Sequence, residues 1–332
     1  MVLSSTTTLS LSKLCYKIDQ TRRTEVALTG VIRPGYVQLR VLDLNEAIQH
    51  YRDRIGLNLV GVEGGRAFFQ AFDEFDRHSI ILREAESAGF DRMAFKVAKD
   101  GDLDHFAERL LDLDVHVDVI PAGEDPGVGR KIRFNTPTGH VFDLYAEMQL
   151  SDTGPAVRNP DVWIAEPRGM RATRFDHCAL NGIDISASAK IFVEALDFSV
   201  TEELVDESSG ARLGIFLSCS NKAHDVAFLG YPENGRIHHV SFNLESWHDV
   251  GHAADIISRY DISLDIGPTR HGITRGQTIY FFDPSGNRNE TFCGGYIYYP
   301  DNPRRMWQAE NAGKAIFYYE KALHDRFMTV NT

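Results

Sequence analysis

Along this chain, apolar strands recur with helix-spaced apolar residues behind them. Residues 36–41 read as a strand, and in residues 45–55 Ala47, Ile48, Tyr51 and Ile55 fall at helical spacing. Residues 175–180 repeat the strand, and residues 187–196 repeat the helix, with Ala189, Phe192, Val193 and Leu196 on one face. Each helix runs into a further short apolar strand, residues 57–62 and 198–204. The pattern returns inside each half: residues 93–97 then 102–111, and residues 240–244 then 248–259. The pattern therefore predicts four strand–helix–strands modules, paired into two domains.

The later parts of the two halves align at a constant offset of 147 residues. Ile120-Pro121 falls on Gly267-Pro268, and Pro137-Thr138-Gly139 on Pro284-Ser285-Gly286. Each Pro-x-Gly reads as a tight turn, with Pro fixing φ and Gly supplying a positive φ. Strands are expected before it, at 131–135 and 277–282, and after it, at 141–146 and 288–293. The Pro-, Gly- and charge-rich stretch 151–170 lacks periodicity and reads as the linker. The expected organisation is a tail over 1–30, a first domain over 31–150, the linker, and a second domain over 171–332. Residues 1–12 are rich in Ser, Thr and Leu, and basic residues follow that stretch instead of preceding it, which is the wrong order for a signal peptide. The tail carries no core pattern and is expected to be dispensable. Modules of this kind can curve their sheets around a shared cavity, a natural ligand site.

The repeat is also an internal control: reactive groups present in only one copy point to chemistry. At the 147 offset His239 faces Arg92, His271 faces Glu124, Tyr280 faces Arg133 and Glu290 faces Asp143, while on the first strands His177 is matched with Gln38. His177, His239 and Glu290 thus sit at equivalent module positions on three strands of the second half. Two imidazoles and a carboxylate on one face of a metal form the facial triad of non-haem Fe(II) oxygenases, with open positions for substrate and O2. Zn(II) accepts the same set. Gln38 and Arg92 leave the first half without such a site. His238, next to His239, is expected to point to the other face of its strand and to be structural. His224, His271 and Tyr280 are singly ordinary loop or strand residues. Beside a metal, a free His and a Tyr are what proton transfer from a phenol requires.

Bulk properties narrow the class. The net charge of −12, without a Lys/Arg run, argues against nucleic acid as a partner. No apolar run reaches the ~18 residues a membrane span needs. Cys15, Cys178, Cys219 and Cys293 form no CxxC pair, a usage that fits a reducing cytoplasm.

The run from Thr269 to Glu290, TRHGITRGQTIYFFDPSGNRNE, resembles the signature of extradiol ring-cleavage dioxygenases of the vicinal oxygen chelate superfamily, through His271, Tyr280, Asp283, Pro284, Gly286 and Glu290. RPGYVQLRVLD from Arg33, KAHDVAF from Lys222, GRIHHVSFNLESW from Gly235 and DRFMTV from Asp325 resemble the catechol-cleaving branch of that family, so the likeness covers the chain from about Val31 onward. The resemblance implies an α+β fold of tandem βαβββ modules paired into two incomplete-barrel domains. It implies a metal in the second domain only, Fe(II) before Mn(II), and a homotetramer. By the family's motif His177, His239 and Glu290 would be ligands and His224 the acid–base residue, with His271 and Tyr280 holding the substrate oxygens. Phe216, Leu229, Ile273, Ile316 and Phe327 would line the pocket. Cys178 stands beside a ligand where a smaller residue such as Ala is expected, and strand alternation should turn it away from the metal. The implied reaction opens catechol with O2 beside the diol, and methylcatechols should also fit. No Arg or Lys of the matched pocket segments stands out as a partner for a substrate carboxylate.

Two other readings use the same fold. A glyoxalase-like metal isomerase would place ligands in both halves, which Gln38 and Arg92 oppose. A drug-sequestering binding module would carry no metal, which the complete triad with His224 and Tyr280 opposes.

Overall fold

The computed structural model describes residues 30–162 and 168–332. Apart from Gly30, the tail expected over 1–30 lies outside the described residues, as does the middle of the expected linker. The first half runs β1 (Val31–Val41), α1 (Leu44–Gln49), β2 (Asn58–Glu63), β3 (Arg66–Gln70), β4 (Ile80–Glu84), then β5 (Gly89–Val97), α2 (Asp102–Leu111), β6 (Val117–Ile120), β7 (Lys131–Asn135) and β8 (Val141–Tyr145). The second half repeats it: β9 (Arg174–Gly182), α3 (Ile185–Glu194), β10 (Ser199–Asp206), β11 (Ala211–Ser218), β12 (Val226–Gly230), then β13 (Arg236–Asn243), α4 (Trp247–Arg259), β14 (Leu264–Arg270), β15 (Gly276–Phe282) and β16 (Arg288–Gly294). These are the four βαβββ modules read from the periodicity.

The sheet orders match strand for strand, β2-β3-β4-β1-β5-β8-β7-β6 against β10-β11-β12-β9-β13-β16-β15-β14. The modules of a pair join through antiparallel β1–β5 and β9–β13. The second sheet gains one strand that the repeat does not predict, β17 (Arg305–Gln308), parallel to β10. It leads into α5 (Ala312–Ile316) and α6 (Asp325–Thr329).

Local chemistry explains the elements. Asp43 and Asp184 cap α1 and α3, accepting from the backbone N–H of Glu46 and Ala187. The Pro-x-Gly turns form as expected, with Gly139 at φ 78° and Gly286 at φ 93°. The helix expected over 45–55 is not uniformly α: after Gln49 it widens into a π-turn over His50–Ile55 and stops at Gly56, φ 97°. The extra residue in that turn lets His50 and Tyr51 both face inward. There His50 Nε2 lies 2.9 Å from Asn289 Oδ1, and the Tyr51 hydroxyl donates to Asp283 (3.1 Å). In α3, Ala189 and Phe192 are buried as expected, but Val193 is 38% exposed. It falls beyond the edge of the apolar stripe.

One core spans both halves. Phe95 and Phe142 of the first sheet meet Phe192, Phe198 and Phe228 of the second half, with ring centroids 4.9–6.2 Å apart. Among the described residues no helix is long and apolar enough to cross a membrane.

Candidate metal centre and cavity

Three strands of the second sheet aim one residue each into a single cavity: His177 from β9, His239 from β13 and Glu290 from β16. His177 Nε2 lies 3.3 Å from His239 Nε2, and the two imidazoles lie 3.2 and 3.4 Å from Glu290 Oε2. Ligands about 2.1 Å from one centre stand roughly 3.0 Å apart at right angles and about 3.4 Å at tetrahedral angles. The donor set therefore fits one divalent cation. Alternation along β9 explains the placement: His177 and Ala179 face the cavity, and Cys178 and Leu180 face the main core.

Each ligand-type residue is held from behind. Asp176 Oδ2 accepts from His177 Nδ1–H (2.9 Å), which leaves Nε2 as the free donor atom. Lys222 in turn pairs with Asp176 (3.1 Å) and Asp225 (3.0 Å). Ser241 and Thr278 donate to the two oxygens of Glu290, each at 2.6 Å. Burial alone would raise the Glu290 carboxyl. The His177, His239 and His271 imidazoles around it outweigh that and hold Glu290 an anion, well below the usual range.

The expectation that His238 turns away from the site is wrong. β13 bulges between Ile237 and His239, so simple alternation fails there. His238 lines the cavity, and its Nδ1 lies 2.7 Å from His239 Nδ1.

The other reactive side chains gather at the same place. The His224 ring lies 4.0 Å from the His177 ring, centroid to centroid. Burial above all holds its pKa well below 6.5, so it stays neutral. His271 Nδ1–H donates to the Ile316 carbonyl, leaving Nε2 to accept from the Tyr280 hydroxyl at 2.8 Å. Burial and the Glu290 charge push the Tyr280 phenol well above 10. Phe216, Leu229, Ile273, Ile316 and Phe327 all line the cavity. Two cations also do so, against the expectation from sequence: Arg174 and Lys222. Both are already matched by acids, Arg174 by Asp176 (3.2 Å) and Lys222 by Asp176 and Asp225.

Cross-strand register corrects one equivalence. Ser241 lies opposite His177 in β9–β13, and its counterpart Ala94 lies opposite Tyr36 in β1–β5. The first-half partner of His177 is therefore Tyr36, not Gln38. Gln38 instead donates to Asp91 (2.7 Å). Tyr36, Arg92 and Asp143 hold the mirrored positions. Glu124, Asp125 and Asp143 come close enough to hold a cation there, but Lys131, Arg66, Arg92 and Arg133 already pair with them.

Asp176, Lys222, Ser241 and Thr278 were not singled out from sequence. The Asp-His pair at 176–177 was an available signal for the first. The others come into reach only through strand register.

Residues 90–149 match a family described as catechol 2,3-dioxygenase-like N-terminal domain. Residues 174–291 match the glyoxalase/bleomycin resistance protein/dioxygenase superfamily. The chain is 51% identical to a metapyrocatechase of Pseudomonas sp. (strain CF600) over 91% of its own length and 99% of the relative's. It is 28% identical to a manganese-dependent 2,3-dihydroxybiphenyl 1,2-dioxygenase of Geobacillus genomosp. 3, over 86% of this chain and 92% of that one. Among solved structures, the 2,3-dioxygenase LapB from Pseudomonas sp. KL28 superposes with a TM-score of 0.84 at 45% identity, covering 86% of this chain and 100% of that one. Whole-length likeness of this degree, together with the repeated βαβββ modules, shows that the chain belongs to the extradiol ring-cleaving dioxygenases of the vicinal oxygen chelate superfamily.

Proposed function

We propose that this protein opens catechol with O2 beside the diol, giving 2-hydroxymuconate semialdehyde, and that His177, His239 and Glu290 hold one Fe(II) for the purpose. The observation that carries the reading is the convergence of those three donors inside one cavity with His224 and the Tyr280–His271 pair. The two-His-one-carboxylate set is that of non-haem Fe(II) oxygenases, and Fe(II) over Mn(II) is taken from the resemblance to the catechol-cleaving branch of the family. When bound, the metal supplies Lewis acidity and open positions for the catechol oxygens and O2.

The chain's own groups do the rest. Neutral His224 takes a proton from a substrate hydroxyl and later returns it to the departing oxygen. Tyr280 stays protonated; its hydroxyl donates to His271 Nε2 and its oxygen is left to accept from the other substrate hydroxyl. The apolar wall of Phe216, Ile273 and Phe327 seats the ring and keeps bulk water from the reacting carbons. Methylcatechols are further substrates on this reading. By the same resemblance we take the assembly to be a homotetramer.

Anaerobic loading with Fe(II), then O2 uptake with catechol, tests the assignment. One O2 should disappear per catechol, with the semialdehyde as product. His177→Ala, His239→Ala and Glu290→Ala should lose iron and turnover but keep the apo fold. Full turnover by metal-free protein, or stoichiometric iron in any of the three variants, would sink it.

A further inference from the structure

The C-terminal helix α6 reaches the metal centre through His238. The His238 ring is buried between His239 and Phe327, and both of its nitrogens are committed. Nε2 lies 2.9 Å from the Phe327 carbonyl, which can only accept, so Nε2 carries the proton and donates. A neutral imidazole holds one proton, so His238 Nδ1 is an acceptor. Its neighbour at 2.7 Å, His239 Nδ1, must therefore be the N–H. That leaves His239 Nε2 with a bare lone pair, on the atom that lies 3.4 Å from Glu290 and 3.3 Å from His177 Nε2.

Two further observations tie this relay to α6. The Phe327 ring packs edge-on against His238 (4.5 Å) and Tyr280 (4.9 Å), so one residue both walls the cavity and orients His238. Buried Arg288, paired with Asp265, donates to the carbonyls of His238 (3.1 Å), Val330 (2.9 Å) and Arg326 (3.2 Å). The backbone of β13 and the C-terminal segment thus share one guanidinium.

We infer that His238 is a positioning residue for metal binding: it fixes the His239 tautomer and makes cation retention depend on the docking of α6. The inference rests on the proposed role of His239 as a ligand. Outer partners of this kind typically contribute about 10- to 100-fold to metal affinity.

The test uses the full chain loaded with Fe(II) and anaerobic competition with a chromogenic chelator. His238→Leu removes the acceptor, whereas His238→Asn keeps an oxygen near the position of Nδ1. The expected result is iron binding about 10- to 100-fold weaker in His238→Leu, recovery of most of the loss in His238→Asn, and an unchanged apo thermal midpoint in both. Parental affinity in His238→Leu would overturn the inference, as would equal weakening in both variants. Should His238→Leu fail to fold, the Co(II)-loaded parent still decides. It should show two slowly exchanging, paramagnetically shifted ring N–H resonances, with one of them altered in His238→Asn; a single such resonance in the parent overturns the relay. His239→Ala serves as the control for the underlying reading, since stoichiometric iron there would defeat the ligand assignment whatever His238 does.

Discussion

Lys131 and Thr278 hold the same register position in the two halves, opposite Tyr145 and Phe292 respectively. The Lys131 ammonium lies 3.1 Å from Asp143, the counterpart of Glu290, and 2.6 Å from Asp125. Thr278 instead donates an uncharged hydroxyl to Glu290 Oε1, as Ser241 does to Oε2. In the first half a tethered cation fills the place that the second half keeps for a dissociable one. Installing the same tether as Thr278→Lys should give a folded protein with no bound iron and no turnover, because the ammonium competes for Glu290. Metal analysis and circular dichroism of that variant check it; stoichiometric iron would show that the equivalence has no energetic meaning.

Much of this was legible in the sequence. Helical and strand periodicities gave the four modules, and the Pro-x-Gly turns fixed the 147 offset for the later strands. That offset paired Arg92 with His239 and Asp143 with Glu290 correctly. The first strands carry a different offset, which only β-pairing reveals, so His177 was matched with Gln38 instead of Tyr36. The bulge at His238 was hidden for a related reason: alternation assumes an unbroken ladder. The C-terminal segment repeats nothing in the first half, so periodicity could not show that β17 joins the sheet or that α6 closes the site.

His224→Phe should retain its iron and still bind catechol, because His224 is not one of the three converging donors. Turnover should fall about 10²- to 10⁴-fold, the usual contribution of general acid–base catalysis. Metal analysis with single-turnover kinetics reads both quantities. Loss of iron would instead make His224 a ligand.

Three buried histidines of the first half set an acid limb to stability. Burial lowers His50, His78 and His140 each to about 4. A histidine with a depressed folded pKa binds its proton more readily when unfolded. Its contribution is therefore present above the unfolded value near 6.5 and is lost as pH falls toward 4. The loss is on the order of 3 kcal/mol per residue at the acid end. His78 stands out because neither ring nitrogen has a hydrogen-bond partner among the described residues. It sits edge-on to Tyr36 and Phe68, as His224 does to Phe216. His78→Phe should stabilise the fold by about 1 kcal/mol at pH 7 and flatten the limb between pH 6.5 and 4. Urea midpoints at three pH values measure this; an unchanged slope would contradict it.

Substrate preference follows from charges that are already matched. Arg174 and Lys222 line the cavity, but Asp176 and Asp225 neutralise them. A ring carboxylate would then be buried without a free counter-charge, at a cost of several kcal/mol. A methyl group gains about 0.8 kcal/mol where it finds room. Catechol and methylcatechols should therefore be turned over well and protocatechuate-type acids poorly; two-ring diols should also be poor, because Phe216 and Phe327 crowd the cavity. Comparison of kcat/KM across these groups at fixed O2 is the measurement. A preference for the acids would show that Arg174 swings free of Asp176.

The aromatic seam of Phe95, Phe142, Phe192, Phe198 and Phe228 bears on how such a duplicated chain persists. Among the described residues the first half carries no open cation site, yet its rings complete the packing of α3 and β12, and β12 pairs with the strand that bears His177. Excising it would leave a broad greasy face in water and strip support from behind a metal-facing strand. The silent copy thus serves as a permanent buttress, and the two halves are bound to a common fate: each can drift in sequence only as far as the other's surface allows.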